Sequence, residues 1–197
     1  MDSIKKEQVV AGVIGGVTAL ALAYITRRYV WRRWKRNGGG GKWGRRGPAQ
    51  MTAMQSDKLP AAIGPYSFGQ MVQMPNGSTW AWSSGQLGLN KDGNFAEGDD
   101  AVVAQAEQVL ENLKNVAQDN GMDLEKHCVK NVVYLVDMAD FAKVNEVYKR
   151  YFKGPNFPAR TCIAVKALPR GGLVEIESVF FKPNDGKQGG QGAGRKE

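Results

Sequence analysis

The chain has 197 residues, room for one ordinary domain and about fifty residues besides. Its net charge of +8 is unevenly placed: residues 1–50 carry eleven Lys/Arg against two Asp/Glu, whereas residues 51–197 carry sixteen basic and seventeen acidic side chains. The globular part is therefore near neutral, which excludes reading it as a basic nucleic-acid binder from the overall pI of about 9.5. Cys128 and Cys162 are the only cysteines and His127 the only histidine, which excludes a disulfide framework and argues against a zinc site.

From Gln8 to Thr26 no residue is charged. The apolar run Val9–Ile25 would span roughly 26 Å as a helix, the short end of a bilayer core. Tyr24, Tyr29, Trp31 and Trp34 lie where an aromatic belt would lie, and nine Lys/Arg follow the run before position 47, against Lys5 and Lys6 ahead of it. This is the pattern of a single membrane anchor with the domain on the cytosolic or matrix side. So short a span suits a mitochondrial membrane better than the secretory route. Two other readings stay open: a signal peptide cleaved near Ala19-Leu20-Ala21 or Ala21-Leu22-Ala23, and a buried core helix. Gly12 and Gly16, continued by Ala19 and Ala23, make a small-residue stripe that another membrane helix could approach closely, although small residues are common in such helices anyway. The expected organisation is an anchor with its basic flank over 1–36, a Gly-rich linker over 37–54, a domain over 55–182 and a polar Gly-rich tail over 183–197.

Within the domain, strands are predicted at 67–74 and 79–85 around the turn Pro75-Asn76-Gly77-Ser78. A helix capped by Asp99 or Asp100 runs to Asn120, with apolar positions 102, 106, 109, 110, 113, 116 and 117 on one face and Gly121 as its stop. The β-branched stretch 128–136 reads as a buried strand. Residues 139–152 form a second amphipathic helix, with 141, 144, 148 and 151 on one face and Pro155 and Pro158 beyond its end. Two more strands follow at 160–167 and 173–181. The order predicts an α+β domain, one sheet with two helices on one face. The other face is left bare, and small domains with a bare sheet face usually oligomerise.

No Ser/His/Asp set, phosphate loop or dinucleotide fingerprint is present. Two features could carry chemistry. Arg160 begins a strand after a proline-fixed turn, and arginine is the side chain that grips a carboxylate with two prongs. From spacing alone the better reading is a solvated loop arginine. Glu175 and Glu177 alternate with Val174 and Ile176, so both glutamates share one strand face. Covered by a partner, such a carboxylate would have a raised pKa and could move protons; uncovered, it is a solvated strand residue.

Residues 60–182 closely resemble the YjgF/UK114 family, the RidA-type 2-iminobutanoate/2-iminopropanoate deaminases. The resemblance rests on PAAIGPYS at 60–67, SSGQLGLN at 83–90, FAKVNEVY at 141–148 and above all the stretch from Arg160 to Glu177; it covers none of residues 1–50. Thr161 stands where the family usually has Ser, Ala or Cys. The resemblance implies a chorismate-mutase-like α+β fold and a homotrimer with three clefts between subunits, whose assembly would cover the bare face. It implies that Arg160 clamps the substrate carboxylate, that Glu175 holds or activates the hydrolytic water, and that Tyr66, Ser84, Asn145 and Cys162 line the cleft. Without it, Tyr66 and Asn145 read as structural.

The implied chemistry is hydrolysis of 2-iminopropanoate or 2-iminobutanoate to a 2-keto acid and ammonia, needing no metal, nucleotide or flavin. RNA cleavage, also attached to this family, fits poorly with a domain of net charge −1. A different reading keeps the fold but not the activity: a non-catalytic accessory subunit of a larger, mitochondrial membrane complex, docked through Gly12 and Gly16.

Overall fold

The computed structural model describes residues 47–184. The expected anchor, with Gly12 and Gly16, lies outside the described residues, as does the tail from residue 185 onward. Among the described residues no helix is long and apolar enough to cross a membrane.

The elements in chain order are β1 (Gln50–Ala53), β2 (Gly69–Gln73), β3 (Thr79–Ser83), β4 (Gln86–Leu87), α1 (Ala101–Asp119), the single turn α2 (Leu124–His127), β5 (Cys128–Leu135), α3 (Phe141–Tyr151), β6 (Ala159–Ala164) and β7 (Val174–Lys182). The strands form one sheet in the order β1-β2-β3-β7-β5-β6, with β4 pairing to β7. All pairs are antiparallel except β5 with β6, which are parallel and joined through α3.

The α+β class predicted from the sequence is what the structure shows. All seven apolar positions predicted for the long helix are buried in α1, and Gly121 follows it with a φ of +72°, the left-handed stop that glycine supplies. Two polar residues share that buried face. Asn112 donates to the carbonyls of Leu87 and Leu89 at 3.1 and 2.9 Å, and Gln105 accepts from the Leu173 N–H at 2.9 Å. They satisfy backbone groups that the short β4 leaves without sheet partners. α1 and α3 pack over the same side of the sheet as Ala81, Val133, Leu135, Val174, Ile176 and Phe180, in one apolar core.

Three sequence expectations need correction. The linker predicted over 37–54 ends early, because Gln50–Ala53 pair as β1 with β2; the polar, Gly-rich surroundings hid a four-residue edge strand. The strand predicted over 79–85 stops at Ser83, since Ser84-Gly85 interrupt the pairing with β7, which resumes at β4 with one extra residue on this side. Phe141, placed on the buried face of the second helix, is 38 % exposed, while Val144, Val147 and Tyr148 carry that face.

Gly88 shows how closely α1 seats on the β4 segment. A Cβ there would lie 2.6 Å from both Cα and Cβ of Gln105 and 2.8 Å from its carbonyl oxygen. The obstruction is helix backbone, which cannot swing aside. Gly88→Ala should therefore destabilise the domain by about 1–3 kcal/mol, as overpacking does, read as a lower unfolding midpoint in urea with an unchanged slope.

Candidate functional site

The six residues singled out from the sequence fall into two groups on opposite faces of the sheet. The first gathers at edge strand β6. Arg160 pairs in register with Asn131 of β5, and Asn131 points into the helix-covered core, where its amide donates to the Tyr148 hydroxyl at 2.7 Å. Arg160 is therefore on the helix side. Its guanidinium donates to Asn145 Oδ1 at 2.6 Å and lies over the rings of Tyr148, at 4.8 Å, and Phe141, at 5.4 Å. Two ring faces and one neutral acceptor fix its plane, and among the described residues no carboxylate pairs with its charge. It lines an open groove of about 360 Å³ with Asn145, Tyr148, Phe157 and Pro158.

Cys162 is on the same face as Arg160, half-buried, with its thiol pushed up by burial and drawn back by Arg160. Its backbone matters more. The Val165 N–H reaches the Leu135 carbonyl at 2.8 Å, so Val165 points its N–H toward β5. Backbone N–H groups alternate along a strand, and the Cys162 N–H therefore points away from β5, out of the sheet edge. A guanidinium and an outward N–H at one edge suit an anion.

The second group lies at the other face. Glu175 pairs in register with Tyr134, and its neighbours Val174 and Ile176 are fully buried beneath the helices, so Glu175 and Glu177 project from the bare side. Burial first, and the Glu177 carboxylate second, hold the Glu175 pKa above the ordinary carboxylate range. Its carboxylate lies against Gly85: a Cβ on that glycine would come 1.8 Å from Glu175 Oε1. Tyr66 and Gly85 line one small recess of about 40 Å³, and Tyr66 and Ser84 line a wider depression beside it. The Ser84 hydroxyl donates to the Ser67 carbonyl at 2.6 Å, which leaves its oxygen as an acceptor. Tyr66 is 47 % exposed rather than packed in the core.

The sequence reading thus named residues that one chain does not bring together: Arg160, Asn145 and Cys162 sit on the helix side of the outer edge, while Tyr66, Ser84 and Glu175 sit on the bare side. It missed Gly85, whose missing side chain makes room for Glu175, and the rings of Phe141 and Tyr148 under Arg160. The spacing of 141 and 148, one face of a helix followed by an arginine strand, fits a core position equally well.

The fold and these two groups define an α+β domain with an arginine at a sheet edge and a carboxylate of raised pKa on the opposite face. The profile of the family described as Endoribonuclease L-PSP matches residues 56–180. The chain is 48 % identical over 128 residues to Protein DfrA of Myxococcus xanthus, covering 64 % of this chain and 92 % of that protein. It is 45 % identical over 127 residues to the 2-iminobutanoate/2-iminopropanoate deaminase of Mus musculus, covering 64 % of this chain and 87 % of the mouse protein. Among solved structures it is similar to RidA from an Antarctic Psychrobacter, with 42 % identity, a TM-score of 0.58, and coverage of 66 % of this chain and 98 % of that one. The chain belongs to the RidA/YjgF (L-PSP) family, whose named deaminases act on reactive imines.

Removing the Glu177 charge should make Glu175 easier to ionise. In Glu177→Gln the Glu175 carboxyl should titrate at lower pH than in the parent chain yet stay above the ordinary carboxylate range, because burial, the larger cause, remains. Carbon-detected NMR titration of the Glu175 side chain checks both the direction and the residue.

Proposed function

We propose that this chain hydrolyses reactive 2-imino acids, 2-iminopropanoate and 2-iminobutanoate, to 2-keto acids and ammonia. The observation that carries the reading is Arg160, held in plane by Asn145, Tyr148 and Phe141 and open to a groove, as a carboxylate clamp requires. The names of relatives at 42–45 % identity support it.

Water adds through oxygen to the C=N carbon, and its proton passes to Glu175. That proton then goes to the nitrogen, giving a carbinolamine; Glu175 next takes the proton of its hydroxyl and returns it to the nitrogen, the C–N bond breaks, and ammonia leaves as C=O forms. Glu175 starts ionised and ends ionised. A raised pKa makes it a better base than an ordinary carboxylate, since a basic group nearer the working pH takes the proton more readily. Arg160 holds the carboxylate by charge-assisted hydrogen bonds and the Cys162 N–H is placed to add a third.

Because the two half-sites lie on opposite faces of one chain, the active unit in this reading is a homotrimer. There the edge of one protomer, with Arg160, meets the Tyr66, Ser84 and Glu175 side of the next, and the bare face is covered. We place this trimer on a membrane through residues 9–25, with the mitochondrial membrane favoured by the short span and the basic flank behind it.

Arg160→Ala should abolish turnover without unfolding the domain, and Arg160→Lys should recover little, since an ammonium cannot reproduce the two-pronged grip. Imine hydrolysis coupled to a dehydratase that generates the imine is the assay; wild-type turnover by Arg160→Ala would overturn the reading. Glu175→Gln should lose roughly a hundredfold or more in rate yet be more stable than the parent at neutral pH. The sign follows from the raised pKa: the folded state favours the protonated carboxyl, so stability is full below the unfolded pKa and is lost as pH rises through the folded one. Thermal unfolding should show the gain at pH 7 and no gain well below the ordinary carboxylate pKa. After alkaline carbonate washing the full chain should stay in the membrane pellet; recovery in the soluble fraction would end the anchor proposal and leave the deaminase reading intact.

A further inference from the structure

The depression shared by Tyr66 and Ser84 has a third wall. Trp82, two residues before Ser84, lies on the bare face at 45 % exposure, beside a Tyr66 that is 47 % exposed. With Pro65, Gln70 and Ser84 they line about 670 Å³ of open space. On the other side of Tyr66, the recess at Gly85 is about 40 Å³, far smaller than the depression beside Trp82. The larger space beside Tyr66 is therefore the one toward Trp82. The indole is also held in place. Trp80 stacks beside it with centroids 6.2 Å apart, and Trp80 is itself pinned on Phe181 at 4.8 Å. A fixed indole and an exposed phenol facing one space make a surface that takes up apolar or aromatic groups.

We propose that Trp82 is a specificity-determining residue: with Tyr66 it receives the side chain of the bound 2-imino acid, so that the site takes 2-imino acids with large apolar or aromatic side chains in preference to those with a methyl. The proposal rests on the deaminase reading for the reaction, and on the Trp82 depression for the choice of substrate. It is tested on the full chain with the keto-acid products as probes, pyruvate and phenylpyruvate, by titration calorimetry. In parallel, hydrolysis is measured on the imines that an amino-acid oxidase generates from alanine and phenylalanine. Phenylpyruvate should bind roughly tenfold more tightly than pyruvate, the scale of one added aromatic contact. Trp82→Ala should remove that preference and leave pyruvate binding within about twofold. Trp82→Tyr should keep most of the preference and guards against a folding defect in the alanine variant. A preference that survives Trp82→Ala overturns the proposal, as does a Trp82→Ala variant that loses its oligomeric state while Trp82→Tyr keeps the oligomer but shows no preference. Retained binding preference without turnover of either imine overturns the deaminase reading and supports this one.

Discussion

The two-residue period of β7 is the constraint on which the rest depends. This strand sits between β3 and β5 and also carries β4, so its alternation sets the two faces of the sheet. Val174, Ile176 and Phe180 are fully buried under the helices, and Glu175, Glu177, Val179 and Phe181 take the other side. A slip of one residue would turn two glutamates into the apolar core, where an unpaired carboxylate costs several kcal/mol or is forced to protonate. Register is thereby fixed in part by Glu175, the same residue to which the proposed function gives the proton transfers. The exception on the buried side is Ser178, whose hydroxyl donates to Asn131 Oδ1 at 2.6 Å and whose N–H donates to Ser83 Oγ at 2.8 Å.

That exception joins the two half-sites. Ser83 ends the strand that leads into Ser84 and Gly85. From it the hydrogen bonds run through Ser178 to Asn131, and from Asn131 to the Tyr148 hydroxyl, whose ring lies beneath Arg160. Cys128 adds a weak donor to Asn131 at 3.3 Å. A satisfied buried network of this kind holds its members in one arrangement, because each alternative leaves a polar group unpaired. Burial pushes both the Cys128 thiol and the Tyr148 hydroxyl up to about 12, so both stay neutral near neutral pH. The network can fix distances across the sheet without adding charge beside Arg160 or Glu175.

Residues with a strong period were legible in the sequence. The buried face of α1, the Gly121 stop and the glutamates of β7 all follow from spacing, since one burial pattern per element leaves little choice. What spacing could not show was contact between elements. Phe141 has the position of a core residue and lies instead near the Arg160 guanidinium, because β6 returns parallel to β5 and passes under that end of α3. Gly85 stands at the end of the strand predicted over 79–85, and its missing side chain makes room for a carboxylate from a strand ninety residues on in the sequence. β1 was hidden by its neighbours: four residues with one large apolar side chain, Met51, carry too little pattern to stand out from a linker. The site residues were found through the family resemblance; their division between two faces follows only from strand register.

That division has a physical use. Were Arg160 and Glu175 adjacent on one face, they would pair. The arginine would pull the Glu175 pKa down and weaken it as a base, and an incoming carboxylate would have to displace Glu175 before it could bind. As the chain folds, neither happens. Arg160 hydrogen-bonds a neutral amide, so its charge is left for a ligand, and Glu175 has Glu177 for its charged neighbour, which raises its pKa. The two groups lie on surfaces that one chain cannot bring face to face. In the proposed trimer they meet only across a subunit boundary, with the substrate between them. Assembly would then complete the site, and the bare face it covers and the glutamate it brings to the substrate would be two consequences of the same strand alternation.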